Sequence, residues 1–123
     1  FILMGNTDAH LKNWALVYPD GHTPRLAPLY DPVCVAAFFE GATEHQYAVN
    51  RAIDRSMRAL DWDALQTLIK TAGLLRIPRH LALLRDVVRR AQADWPALLA
   101  DAPSTLQRAV QARLAGGVAL THP

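Results

Sequence analysis

The sequence predicts a mostly helical fold with one small β-hairpin, an α+β arrangement, and three observations predict it. Apolar residues recur at helical spacing through most of residues 61–117. Ahead of them, two extended runs flank a Pro19-Asp20-Gly21 turn. At 123 residues, with 51% hydrophobic and 20% charged content, the chain is long enough for one domain with a modest core. The expected organisation is a single domain over 1–123, with a loop and hairpin over 1–33 and a helical subdomain over 61–117 packed beside the hairpin.

Each element has a local reason. Phe1-Ile2-Leu3-Met4 is an apolar run that reads as the last turn of a buried helix, closed by Gly5. Asn13 to Tyr18 reads as a strand and Arg25 to Tyr30 as the returning strand of a hairpin. Residues 40–44 are irregular, and Gln46 to Ile53 is a short strand or extended segment. Asp61 is placed to cap a helix over 61–72, with Leu65, Leu68, Ile69 and Ala72 on one face and Gly73 at its end. Pro78 opens the next and longest helix, whose buried stripe is Leu81, Leu84, Val88, Ala91 and Trp95, with Pro96 at its close. Ser104 and Gln107 have the spacing of a capping box for a third helix, carried by Leu106, Ala109, Val110 and Arg113 to a Gly116-Gly117 stop. Trp14, Trp62 and Trp95 each sit among periodic apolar residues, which favours core packing over base stacking.

Composition excludes several classes. Thirteen Lys and Arg against eleven Asp and Glu leave a net charge of +2, too little to argue for nucleic acid. Arg76, Arg79, Arg85, Arg89 and Arg90 form a basic face near the long helix, best read as solvated. Cys34 is the only cysteine, so no internal disulfide framework exists, in keeping with a reducing cytoplasm. No stretch approaches the roughly 18 apolar residues of a membrane span, and no signal peptide is visible. A cytoplasmic protein without membrane contact is expected.

Chemistry concentrates near the start. Gly5-Asn6-Thr7-Asp8-Ala9-His10-Leu11-Lys12-Asn13 places an acid, a cation and an amide within nine positions, and Asp31 follows after the hairpin. Phosphoryl transfer needs a carboxylate for the acceptor hydroxyl, oxygen ligands for Mg²⁺ and a positive charge near the transferred group. Asp8, the pair Asn13 and Asp31, and Lys12 can supply these. In kinase-like loops the base Asp precedes a metal-binding Asn by five positions, the interval kept by Asp8 and Asn13. A hairpin between Asn13 and Asp31 would return the second ligand beside the first, and Mg²⁺ favours such oxygen donors. Asn6 and Thr7 are suited to shaping the turn before Asp8 through side-chain hydrogen bonds.

That run, together with Arg25-Leu26-Ala27-Pro28-Leu29-Tyr30-Asp31, resembles the C-terminal domain of the HipA-like serine/threonine kinases, bacterial toxins of the HipA/HipB toxin–antitoxin type. The likeness is strong over residues 1 to 33 and looser beyond, where Tyr47-Ala48-Val49-Asn50-Arg51 and Asp61-Trp62-Asp63 are similar to the family's later pattern. Pro32 and Cys34 depart from its commoner apolar and Ser positions. The resemblance implies the C-lobe part of a protein-kinase-like fold, with Asp8 as catalytic base, Asn13 and Asp31 on Mg²⁺, and Lys12 near the γ-phosphate of ATP. It further implies a protein substrate linked to translation, an antitoxin partner of the HipB type, and DNA reached only through that antitoxin. No glycine-rich phosphate loop or N-lobe lysine is present in the chain. The chain is therefore expected to be the C-terminal part of a longer polypeptide, inactive when isolated.

Other readings stay open. His10 suits either a phosphate contact, which makes it a cofactor-binding candidate with Lys12, Asn13 and Asp31, or a structural bond to loop carbonyls. His10, His22, Asp8 and Asp31 could form a zinc or iron site, although His22 falls in the hairpin turn. A non-catalytic binding module, docking an antitoxin or completing a split kinase, is one alternative function. A small-molecule kinase is another, because such enzymes use a similar Asp, His or Asn and later Asp.

Overall fold

The computed structural model describes residues 1–7, 9, 11–38 and 57–122. The chain begins in a single helical turn over residues 2–5, ended as its sequence predicts. Gly5, at φ +72°, donates its N–H to the Ile2 carbonyl at 3.2 Å, and Asn6 donates to Phe1 at 3.0 Å. This double reversal is a Schellman closure, which needs a left-handed residue that glycine adopts without a Cβ penalty.

A 3₁₀ turn over Leu11–Asn13 leads into strand β1, Leu16–Val17, which pairs antiparallel with β2, Arg25–Leu26. Leu16 faces Leu26 and Val17 faces Arg25. The hairpin was expected to run over 13–18 and 25–30, and its strands are shorter. Extending the register sets Pro24 opposite Tyr18 and Pro28 opposite Trp14, at non-hydrogen-bonded positions, and the proline ring, which fixes φ at about −65°, departs from extended strand backbone on both sides of β2. Only Ala27, whose N–H reaches the Ala15 carbonyl at 2.8 Å, adds a further rung. At the tip, Gly21 N–H donates to Tyr18 O, and the Asp20 carboxylate accepts from the backbone N–H of His22 at 3.0 Å and Thr23 at 2.7 Å. These bonds, with the Thr23 side chain the largest contributor, pull the Asp20 carboxyl down to about 2.

Helix α1 spans Trp62–Thr71, and Asp61 caps it by accepting from Ala64 N–H at 2.8 Å. Gly73, at φ +69°, closes it with the same double reversal as Gly5: its N–H goes to Lys70 O and that of Leu74 to Ile69 O. Helix α2 runs Ile77–Leu98, with Pro78 in its first turn as expected. It passes through Pro96 instead of stopping there. Pro96 lies within the final turn, where its missing N–H removes a single helical bond and Leu99 N–H still donates to Trp95 O at 2.9 Å. Helix α3 spans Ser104–Ala112 and corrects the expected capping box. Pro103 takes the N-cap position, so Ser104 is already inside the helix, and Gln107 turns its amide to the Ala100 and Ala102 carbonyls of the preceding loop. A wide, broken turn over Arg113–Gly117 and a 3₁₀ turn over Ala119–Thr121 follow.

The core lies among the helices and the segments flanking the hairpin. Leu3 and Cys34 join Met57, Leu60, Leu65, Ile69, Leu81, Val88 and Ala91, closed from the C-terminal side by Val110, Leu114, Val118 and Leu120. Helix α1 packs on α2, and α3 lies against a 3₁₀ turn at Val35–Ala37. The strands themselves are exposed on both faces. The helices thus hold the base of the hairpin and not its strands. Trp62 and Trp95 pack partly buried against the core as expected, whereas Trp14 lies at the surface, its ring edge-on to Phe1 at 5.4 Å. The arginines of the basic face are all exposed, with Arg89 and Arg90 paired to Asp86. Expectations for the extended segment 46–53 and the irregular 40–44 lie outside the described residues.

Candidate active site

The hairpin does what its sequence promised at one decisive point. Asn13 leaves the 3₁₀ turn at the foot of the outgoing arm and Asp31 ends the returning arm, and the Asn13 amide donates to the Asp31 carboxylate across 3.3 Å. Eighteen residues of sequence separation collapse to a side-chain contact. Asn13 is buried and Asp31 exposed, so the pair straddles the surface, with one member anchored and the other facing solvent. Asp31 has φ +54°, a left-handed conformation that Asp tolerates better than most residues.

The lysine sits in the same turn. Lys12 is exposed beside Asn13, and its backbone carbonyl accepts from the Tyr30 hydroxyl at 3.0 Å. Two successive residues of the returning arm, Tyr30 and Asp31, therefore bind two successive residues of the outgoing one, Lys12 and Asn13. Tyr30 was not among the residues singled out in the sequence. The signal available was its place immediately before Asp31, with a phenol long enough to cross to the opposite arm.

Asp8 and His10 lie outside the described residues. Their neighbour Ala9 is buried. His22 is in the exposed tip of the hairpin, held by Asp20, at the opposite end of the strands from Asn13 and Asp31. The zinc or iron grouping of His10, His22, Asp8 and Asp31 is not what the hairpin assembles: His22 and Asp31 are held at opposite ends of it.

An amide and a carboxylate side by side offer hard oxygen donors of the kind Mg²⁺ takes. Asn13 and Asp31 fit a Mg²⁺ ion by that donor chemistry. A cavity of about 50 Å³ lies between the arms, lined by residues 13–15 and 26–30, with room for ordered water but not a nucleotide. Two larger cavities among the described residues, about 340 and 350 Å³, border α2 and are lined by neither Asn13 nor Asp31.

Comparison with known proteins bears on the family of the chain. The family model "HipA-like C-terminal domain" matches residues 1–95. A Sinorhizobium fredii protein named "Putative kinase Y4dM" is 40% identical over 95 residues, covering 77% of this chain and 22% of that protein. A second from the same organism, "Putative kinase Y4mE", is 32% identical over 94 residues, 75% of this chain and 22% of that protein. A Haemophilus influenzae protein named "Putative kinase" is 47% identical over 38 residues, 31% of this chain and 11% of its own length. The chain thus spans about a fifth of the Sinorhizobium relatives. No solved structure matches it. On the strength of the matched domain and of relatives named as kinases, the chain belongs to the HipA-like C-terminal domain family.

Proposed function

We propose that this chain carries the catalytic loop and metal-binding arms of an ATP-dependent serine/threonine kinase, in the C-lobe of a protein-kinase-like fold. The observation that supports the reading above others is the Asn13–Asp31 contact across the hairpin, in a chain whose relatives are named as kinases. Asp8 orients the acceptor hydroxyl and takes its proton. Lys12, exposed in the same loop, offsets negative charge on the γ-phosphoryl group. Asn13 and Asp31 are the residues to hold Mg²⁺, which when bound neutralises charge on the phosphates. Beyond that proton transfer, positioning and charge neutralisation make up most of the protein's contribution in such chemistry.

The wider setting is part of the same proposal: a toxin of a HipA/HipB-type pair, cytoplasmic, acting on a translation-linked protein, with a HipB-type antitoxin as partner and DNA reached through it. The test is transfer of labelled γ-phosphate from ATP in the protein that carries this chain, using Asp8→Ala and Asp31→Asn. Each is expected to lower transfer by about two orders of magnitude or more while the protein stays folded. Near-normal turnover in either variant would remove the role assigned to it. If the parent protein binds neither ATP nor Mg²⁺ by calorimetry, the non-catalytic docking reading takes over. Phosphate transfer to an aminoglycoside or lipid instead of a protein hydroxyl would favour the small-molecule kinase.

A further inference from the structure

Both arms of the site are tied to one short piece of backbone, the turn over residues 1–5. On the outgoing side the Phe1 ring meets Trp14, the residue after Asn13, edge-on at 5.4 Å. On the returning side the Cys34 thiol donates to the Met4 carbonyl at 2.8 Å, and Ala36 N–H donates to the Gly5 carbonyl at 3.3 Å, three and five residues after Asp31. The separation of Asn13 from Asp31 therefore depends on where this turn sits.

What holds the turn comes from the far end of the chain. Arg113, almost fully buried at 3% exposure, points its guanidinium at the open carbonyl end of the turn. Its Nη2 donates to Ile2 O at 2.6 Å, and its Nε lies 3.2 Å from Ile2 O and 3.3 Å from Leu3 O. A fork of fixed donors on adjacent carbonyls sets both position and orientation, and a cation is favoured at the carbonyl end of a helical turn. Arg113 stands on the wide turn after α3, outside residues 1–95 matched by the family.

We propose that Arg113 is a positioning residue for the site: by gripping the Phe1–Gly5 turn it sets the spacing of the Asn13 and Asp31 arms. The inference rests on the reading of those two residues as the metal pair. Its test uses isotope-labelled protein with Arg113→Met, Arg113→Lys, and Val110→Ala as a variant that loosens the core nearby without touching the turn's carbonyls. The readouts are the Asn13 side-chain amide signals and their broadening by Mn²⁺ alone. Arg113→Met should shift the Asn13 amide signals and weaken Mn²⁺ binding by about tenfold or more. Arg113→Lys should lie between it and the parent, because an ammonium lacks the fork. Val110→Ala should lower the melting temperature and leave both readouts alone. Parent-like Asn13 signals and Mn²⁺ affinity in a folded Arg113→Met, or the same changes in Val110→Ala, would overturn the proposal. Should Arg113→Met fail to fold, Arg113→Lys decides: shifted Asn13 signals support the proposal and parent-like ones defeat it. If Mn²⁺ leaves Asn13 unbroadened in the parent, the metal reading fails, and the Asn13 shifts alone still decide the role of Arg113.

Discussion

Asp31 combines two demands that few residues meet together. Its backbone sits at φ +54°, where most side chains are strained by about 1–2 kcal/mol, and its carboxylate must reach Asn13. Asparagine also tolerates this region, which gives a clean separation of fold from chemistry. Asp31→Asn should therefore keep the melting temperature of the parent and lose phosphate transfer, whereas Asp31→Val should lose both, with destabilisation of about 1–2 kcal/mol. Equal melting temperatures for the two variants would show that the left-handed backbone is not what selects the residue. The pair Asn13–Asp31 was legible because a hairpin has a short, regular geometry: a turn motif and two extended runs suffice to say which residues return to the same end. Arg113 was legible only as one more member of a helical stripe. Its contacts with Ile2 and Leu3 span 110 and 111 residues of chain, and no periodicity encodes a partner at that distance.

At the scale of elements, the sequence spoke clearly where one residue meets one orphan backbone group, and ambiguously where two readings of a cap compete. Asp61 accepts from Ala64 N–H as an N-cap should, so Asp61→Ala is expected to cost about 1 kcal/mol in denaturant unfolding. Ser104 matched the same motif, but Pro103 precedes it and takes the cap position. Ser104→Ala should accordingly change stability by no more than about 0.5 kcal/mol, the range of ordinary surface substitutions. Measuring the pair in one protein tests whether α3 starts where the structure starts it. The strands are shorter than the extended runs for a related reason: extended, apolar residues look alike in sequence, and the prolines at 24 and 28, whose rings fix φ at about −65°, bound β2 on either side. The hairpin tip carries its own titration. Asp20 is held at about 2 by hydrogen bonds from Thr23 and His22, below the value of 3.8 for a free side chain. Because the folded value is the lower one, its contribution to the turn is complete above pH 3.8 and is lost as pH falls through about 2. The Thr23 amide should titrate in that window by nuclear magnetic resonance, and the titration should vanish in Asp20→Ala.

For the whole molecule, the question is where the folding unit ends. The family match stops at residue 95, inside α2, whose last residue is Leu98. Beyond it, Val110, Leu114, Val118 and Leu120 all lie in the buried cluster, together with helix residues 65–91 that belong to the matched part. Polar contacts cross the same line: Gln92 donates to the Leu114 carbonyl at 3.1 Å, the Trp62 indole to His122 O at 3.1 Å, and Ala119 N–H to Arg58 O at 2.8 Å. Each buried aliphatic side chain stabilises by about 1.5–3 kcal/mol, so these four together supply on the order of 6–12 kcal/mol, as an upper bound. A domain of this size has about 5–15 kcal/mol of net stability in total. Removing residues 96–123 should therefore abolish cooperative unfolding of the chain, not merely lower its midpoint. Circular dichroism melts of the full and shortened chains are the check. A sharp transition in the shortened chain would show that residues 1–95 are self-sufficient and that the C-terminal turn, with Arg113 on it, is an appendage. Loss of the transition would make the helical subdomain and the site a single folding unit, in which the arms carrying Asn13 and Asp31 are held in place from the opposite end of the chain.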